Sequence, residues 1–204
     1  VAAFETVSRS TVEENYAQIL SDIAKAKEFY AKDGVEDVAN IFMNKAAVSA
    51  LEARVKLYMN DFNGAIAAAS SAIELRGGSI VSTKSDYAQM FKSLNISTED
   101  IFVISKSATD YLSANSLNTL YNDYGMSVNE ETIAEYASTD IRLALLGGDW
   151  KGGKMSGIVE NSQISNLPVL RLPEMYLILA ESYAKTNQYK EAKESLLEVA
   201  AKRN

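Results

Sequence analysis

Apolar residues recur at alternating steps of four and three in three stretches of this chain, and each stretch carries its own start and stop signals. The first runs through Val12, Tyr16, Ile19, Ile23, Ala26 and Tyr30. Thr11 and Glu14 open it at capping-box spacing, and Asp33-Gly34 closes it, which predicts an amphipathic helix starting near Ser10. The second begins near Asn44, with Val48, Leu51, Val55 and Tyr58 toward the core. Lys45, Ser49, Glu52 and Lys56 take the wet side, with Glu52 and Lys56 spaced for an ion pair. Asn60-Asp61 then turns the chain into a partner helix from about Asn63 to the strong stop at Gly77-Gly78. The third stretch has Leu172, Tyr176, Leu179 and Tyr183 on one face. Pro173 suits its first turn, where a missing N–H has no intrahelical partner to lose.

Small and large residues repeat at matching spacing in two of these places. Ala53, Phe62, Ala65, Ala69 and Ala72 are echoed by Ala180, Tyr189, Ala192, Leu196 and Val199. This is the pattern of a tetratricopeptide hairpin, in which alanines let antiparallel helices approach and an aromatic wedges the turn. Between the hairpins a helix over Ser85 to Leu94 and a strand over Ile101 to Ile104 are expected. From Tyr111 to Gln163 the chain turns rich in Asn, Ser, Gly and Tyr, with a helix near Ile141 to Leu146 and a glycine cluster from Gly147 to Gly157. Pro168 restores order, and Val169 to Leu172 reads as extended. The expected fold is mainly α: tetratricopeptide-like hairpins, a long irregular loop region and at most a minor β element. One domain is expected, with a hairpin scaffold over 1–78, a loop-rich insertion over 79–167 and a second hairpin over 168–204.

Composition removes several chemistries. The 204 residues are 47% hydrophobic and 23% charged, enough for a real core. A net charge of −7 and no Lys/Arg run argue against nucleic acid as a partner. With no Cys and no His, thiol nucleophiles, disulfides, Cys/His zinc sites and imidazole bases are excluded. No cofactor or metal is expected. No apolar run approaches the ~20 residues of a membrane-spanning helix, and no signal peptide is visible. The chain begins at Val1 rather than Met, which reads as a processed or trimmed product.

The segment from Pro168 to Asn204 resembles the motif of RagB/SusD-type outer-membrane nutrient-binding lipoproteins, in which an Arg precedes an acidic helix carrying Ala-Glu. Arg171, Glu174, Ala180 and Glu181 occupy those places. Tyr16, Ile19 and Asp22, then Lys45 to Tyr58, Ile101-Phe102, and Asp140 with Arg142 match in the expected order. Leu197 and Ala200 stand where the family carries an Asn and an Arg. The match reads as the central and C-terminal-motif region of such a protein, or an abbreviated relative. The resemblance implies a SusD-like α-α superhelix, no catalysis, and capture of glycans or other nutrients for a SusC-like TonB-dependent transporter. It also implies a place on the extracellular face of the outer membrane, held by a lipid anchor that this chain does not contain.

A sugar site needs flat aromatic faces plus amides and carboxylates. Trp150, Tyr111, Tyr121 and Tyr124 offer the faces; Asn115, Asn118, Asn122, Asp123 and Asp149 offer the polar groups. Trp150, Tyr121, Tyr124, Tyr111, Asn122 and Asp149 are the selected ligand-binding candidates. The bland reading of each Tyr is a loop anchor. Gly148 to Lys154 has phosphate-loop spacing, but Met155 stands where Ser or Thr is required. Arg171 with Glu174 and Glu181, and Asp140 with Arg142, read as structural ion pairs. Glu13-Glu14, Glu99-Asp100 and Glu130-Glu131 suit solvated faces and helix starts better than a glycosidase pair. Two other classes remain: a tetratricopeptide scaffold gripping a partner's peptide, and a carboxylate-based glycoside hydrolase.

Overall fold

The structure is a computed structural model. It describes residues 8–32, 37–110, 112–122, 124, 128–146, 161 and 163–204, with the backbone alone at 120–122. The chain divides into two compact units, Val1–Asp37 and Val38–Asn204.

The first unit contributes α1, Val12–Tyr30. Its capping box is complete: the Glu14 amide donates to Thr11 Oγ1 at 3.1 Å, and the Thr11 amide donates to Glu14 Oε2 at 2.8 Å. Such a cap contributes about 1 kcal/mol.

The second unit is built on two helical hairpins, α2 (Lys45–Tyr58) with α3 (Phe62–Arg76), and α7 (Leu172–Lys185) with α8 (Tyr189–Ala200). Asn44 and Asp61 cap α2 and α3 through their side chains, and Gly77 ends α3 at φ 58°, a left-handed conformation that suits glycine. Ala46, Ala47, Ala50 and Ala53 of α2 and Ala65, Ala68, Ala69 and Ala72 of α3 are all buried in one core cluster. Their small side chains allow the two backbones close approach. Met175, Ile178 and Leu179 of α7 join the same cluster. α3 packs directly on α7, so the hairpins stack although nearly one hundred residues separate them in sequence.

Three readings of the helices need correction. Tyr58, expected in the core, is 72% exposed; α2 turns its alanines inward, and Leu57 packs on that cluster instead. Ser49, expected in water, is buried, and the Glu52–Lys56 pair forms at 3.1 Å in a half-buried setting. The second hairpin does not copy the first. Ala180 is only half-buried, and Tyr189 is 67% exposed, its hydroxyl donating to Asn187 Oδ1 at 2.8 Å across the turn rather than wedging it.

The residues between the hairpins form short elements: α4 (Lys84–Gln89), β1 (Asp100–Ile104), α5 (Leu117–Asn122), α6 (Glu130–Ala134) and β2 (Leu167–Arg171), with 3-10 turns at Ser113–Asn115 and Ile141–Leu145. α4 stops five residues short of the expected end, and α5 and α6 fall where only loop was expected. β1 and β2 pair antiparallel and, among the described residues, form the one two-stranded sheet, the minor β element expected. Arg171 ends β2 and opens α7, so Leu172 is helical rather than extended. A second small core of Tyr87, Met90, Phe91, Ile141 and Leu145 sits beneath this region. Among the described residues no helix is long and apolar enough to cross a membrane.

Candidate functional site

Within the loop-rich stretch, α5 rests on buried amides. Its sequence, Leu-Asn-Thr-Leu-Tyr-Asn, has weak helix propensity, so tertiary hydrogen bonds hold it. Asn118 is fully buried. It accepts from Lys106 Nζ at 2.8 Å and donates to Ser165 Oγ at 2.9 Å. Thr119 Oγ1 donates to the Ser113 carbonyl at 2.8 Å, and Ser116 caps the Thr119 amide. Asn166 extends the base: its Oδ1 accepts from the Lys106 amide at 3.2 Å, and its Nδ2 donates to the Leu94 carbonyl at 2.8 Å. Burial lowers the pKa of Lys106, as desolvation disfavours an ammonium. Asn118, weighed as a ligand group, is therefore part of the foundation.

That foundation fixes the end of α5, which carries Tyr121 and Asn122. Tyr124 follows, its amide donating to the Thr119 carbonyl at 3.2 Å and its side chain 67% exposed. Three of the six ligand-binding candidates, Tyr121, Asn122 and Tyr124, thus lie within four residues on one pinned segment. Tyr111, Asp123, Asp149 and Trp150 lie outside the described residues, as does the glycine cluster with its phosphate-loop spacing. Asn115 is exposed at the 3-10 turn. Among the described residues no group of three or more Asp or Glu is placed to hold a metal ion.

The charged motif residues build the frame. Glu174 pairs with Arg54 rather than Arg171, Nε to Oε1 at 2.5 Å and Nη2 to Oε2 at 2.7 Å, tying α7 to α2. Arg171 turns to Glu99, 3.1 Å away. Glu181 is exposed. The Asp140–Arg142 pair forms as expected at 2.6 Å, and the hydrogen bond from Arg142 holds the Asp140 carboxyl below its usual range.

Glu99 and Asp100 overturn the expectation of a solvated pair: they are 0% and 1% exposed. Glu99 accepts from Arg203 Nη2 at 2.7 Å, Arg171 Nη1 at 3.1 Å and the Val81 amide at 2.9 Å. The two guanidinium groups lie over Tyr87 and Phe91 of the second core, 4.7 and 5.2 Å from the ring centroids. Three donors and two stacked cations make a buried carboxylate tolerable. Asp100 is less well served. Its Oδ2 accepts from the Ser97 amide at 2.7 Å, while Oδ1 is buried without a hydrogen bond. Burial pushes its pKa up to about 6, against the lowering pull of the Ser97 amide and Arg171. Saturated by arginine or sealed from solvent, these neighbours do not form an acid–base pair around a substrate. Arg203 carried no sequence signal, since its partner lies 104 positions away.

No protein-family model matches this sequence, and no curated protein does. Solved structures do. A SusD superfamily protein from Bacteroides thetaiotaomicron superposes with a TM-score of 0.83 at 20% identity, covering 100% of this chain and 50% of that one. A SusD superfamily protein from Bacteroides vulgatus gives 0.83 at 27% identity with the same coverage. A SusD-like carbohydrate binding protein from Bacteroides vulgatus gives 0.77 at 20% identity, over 95% of this chain and 44% of that one. The class defined by these superpositions is the SusD-like stack of helical hairpins. The chain shares that fold, and it spans about half the length of the structures it matches.

Proposed function

We propose that this chain belongs to a non-catalytic, cell-surface subunit that binds a nutrient, in the first instance a glycan, and passes it to a SusC-like TonB-dependent transporter. The observation carrying this reading is the pinned α5 segment, which offers an exposed Tyr124 beside Tyr121 and Asn122 on a SusD-like frame. An exposed aromatic whose backbone is tied to a segment held by buried hydrogen bonds gives a sugar ring a stacking face. A similar structure described as a carbohydrate binding protein favours saccharide over peptide. Trp150, Tyr111 and Asp149 complete the proposed ligand set. The outer-membrane location and the lipid anchor follow from the same family reading.

The test is an oligosaccharide array probed with the chain and with its Tyr124→Ala and Trp150→Ala variants. Saturable binding to a defined glycan class, weakened by either substitution at unchanged Tm, supports the proposal. Binding indifferent to both substitutions removes these aromatics from it.

A second reading, a tetratricopeptide scaffold for a partner protein, gains support from one observation. The direct packing of α3 on α7 makes the separated hairpins a continuous stack. Specific capture of a partner's peptide, with no glycan bound, would favour it.

A further inference from the structure

A cavity of about 550 Å³ opens between the α3–α4 connection, α4 and the segment leading into β1, well away in sequence from the α5 segment. Its floor is Ile80 and Met90, both buried. Ser79, Ser82, Gln89 and Asn95 stand on its walls, exposed, and their side chains make no hydrogen bond among the described residues.

The walls are fixed from behind. Glu99 Oε1 takes the Val81 amide and Arg203 Nη1 donates to the Val81 carbonyl, so both polar groups of that residue are held by buried ions. Thr98 Oγ1 donates to the Ser79 carbonyl at 2.9 Å, closing one end. Gly78 lets the two loop segments of the wall meet: a Cβ there would lie 2.1 Å from the Thr98 carbonyl oxygen. Arg76 Nη2 holds the Ser97 carbonyl at 3.1 Å, and Asn166 holds the backbone at Ser93 and Leu94. Buried side chains from three distant segments are thus spent on shaping one concave surface, which is preorganisation of the kind that lowers the cost of binding.

The chemistry of the lining selects its occupant. Asp86 is the one ionisable lining residue, and its Oδ2 already accepts from Thr83 Oγ1 at 2.7 Å. The primary amides of Gln89 and Asn95 and the hydroxyls of Ser79 and Ser82, over an apolar floor, match a neutral molecule bearing hydroxyl or amide groups and one apolar face. We infer that this cavity is a second saccharide subsite, taking a single neutral or N-acetylated sugar unit, separate from the α5 segment. The inference rests on the saccharide-binding reading for its ligand class, while its location rests on the cavity alone. With no aromatic to stack on, its affinity is weak, about millimolar.

The experiment is a titration of the isotope-labelled full chain with N-acetylglucosamine and with glucose, followed by backbone amide NMR. Saturable shifts centred on Ser79, Ser82, Gln89 and Asn95 are expected, with the dissociation constant raised roughly tenfold in the Gln89→Ala/Asn95→Ala double variant. Both positions are exposed, so Tm should hold, and the response of the Tyr124 amide to oligosaccharide should not change. Absence of saturable shifts at those four amides, or shifts unaffected by the double substitution, overturns the subsite. If the Tyr124 segment fails to respond to any oligosaccharide while the cavity saturates, the α5 reading falls and the subsite stands.

Discussion

Replacing Asp100 with Asn removes a buried carboxyl whose ionisation the fold resists, so the variant should differ from the parent chiefly in how its stability depends on pH. The folded pKa is about 6 against an ordinary 3.8. Ionising Asp100 therefore costs the folded protein about 3 kcal/mol at neutral pH. Because the folded pKa is the raised one, the folded state keeps its proton over a range in which the unfolded chain has released it. The contribution of this carboxyl is most favourable below pH 3.8, declines as pH rises between 3.8 and 6, and is fully lost above that window. Asn keeps an oxygen for the Ser97 amide and does not titrate. Urea unfolding of both proteins, followed by circular dichroism from about pH 4 to about pH 7.5, isolates this group, since the titrations of groups not coupled to Asp100 cancel in the difference. The parent should lose about 2.4 kcal/mol relative to the variant across that range, the rest of the roughly 3 kcal/mol having already been lost below about pH 4. Parallel profiles would refute the reasoning and mean that Asp100 is solvated or paired.

Further substitutions probe the frame. Arg203→Met leaves Glu99 buried with one cation fewer and should cost about 3–5 kcal/mol in denaturant unfolding; a cost under about 1 kcal/mol would show that the buried Glu99–Arg203 pair is not formed. Ala53→Leu forces extra methylenes into the fully buried α2–α3 contact and should destabilise by about 1–3 kcal/mol by the same assay; a neutral result would mean that the helices are not closely packed. Asn118→Ala strips the α5 base of two side-chain hydrogen bonds and should lower glycan affinity together with the protection of the Thr119 and Tyr124 amides from hydrogen exchange, with rapid exchange confined to that segment.

The helical frame was legible because its signals are local. The Thr11–Glu14 box, the Asn60-Asp61 turn, the Gly77 stop and the alanines of the first hairpin each work within a few residues, and each is found where the spacing put it. Tyr58 departs from the single apolar stripe that the spacing of α2 predicts. A helix packed through alanines turns its small residues inward and leaves a large aromatic outside. Glu99 and Asp100 were misread for the opposite reason: adjacent acids look solvated until arginines 72 and 104 positions away are brought onto one of them. α5 was invisible because Asn118 and Thr119 take their stability from Lys106, Ser165 and Ser113 rather than from helix propensity. Of the proposed ligand residues, Tyr124 has an exposed ring next to the buried amides of α5, a juxtaposition that no local sequence pattern reveals.

The most direct measurement of the account is calorimetric titration of the chain with the glycan class selected on the array, followed by recovery and chromatography of the ligand. Saturable binding with the oligosaccharide returned intact is the predicted result. Release of shorter sugars, or no heat with any glycan that the array offers, would contradict the claim that this helical frame captures a saccharide without transforming it.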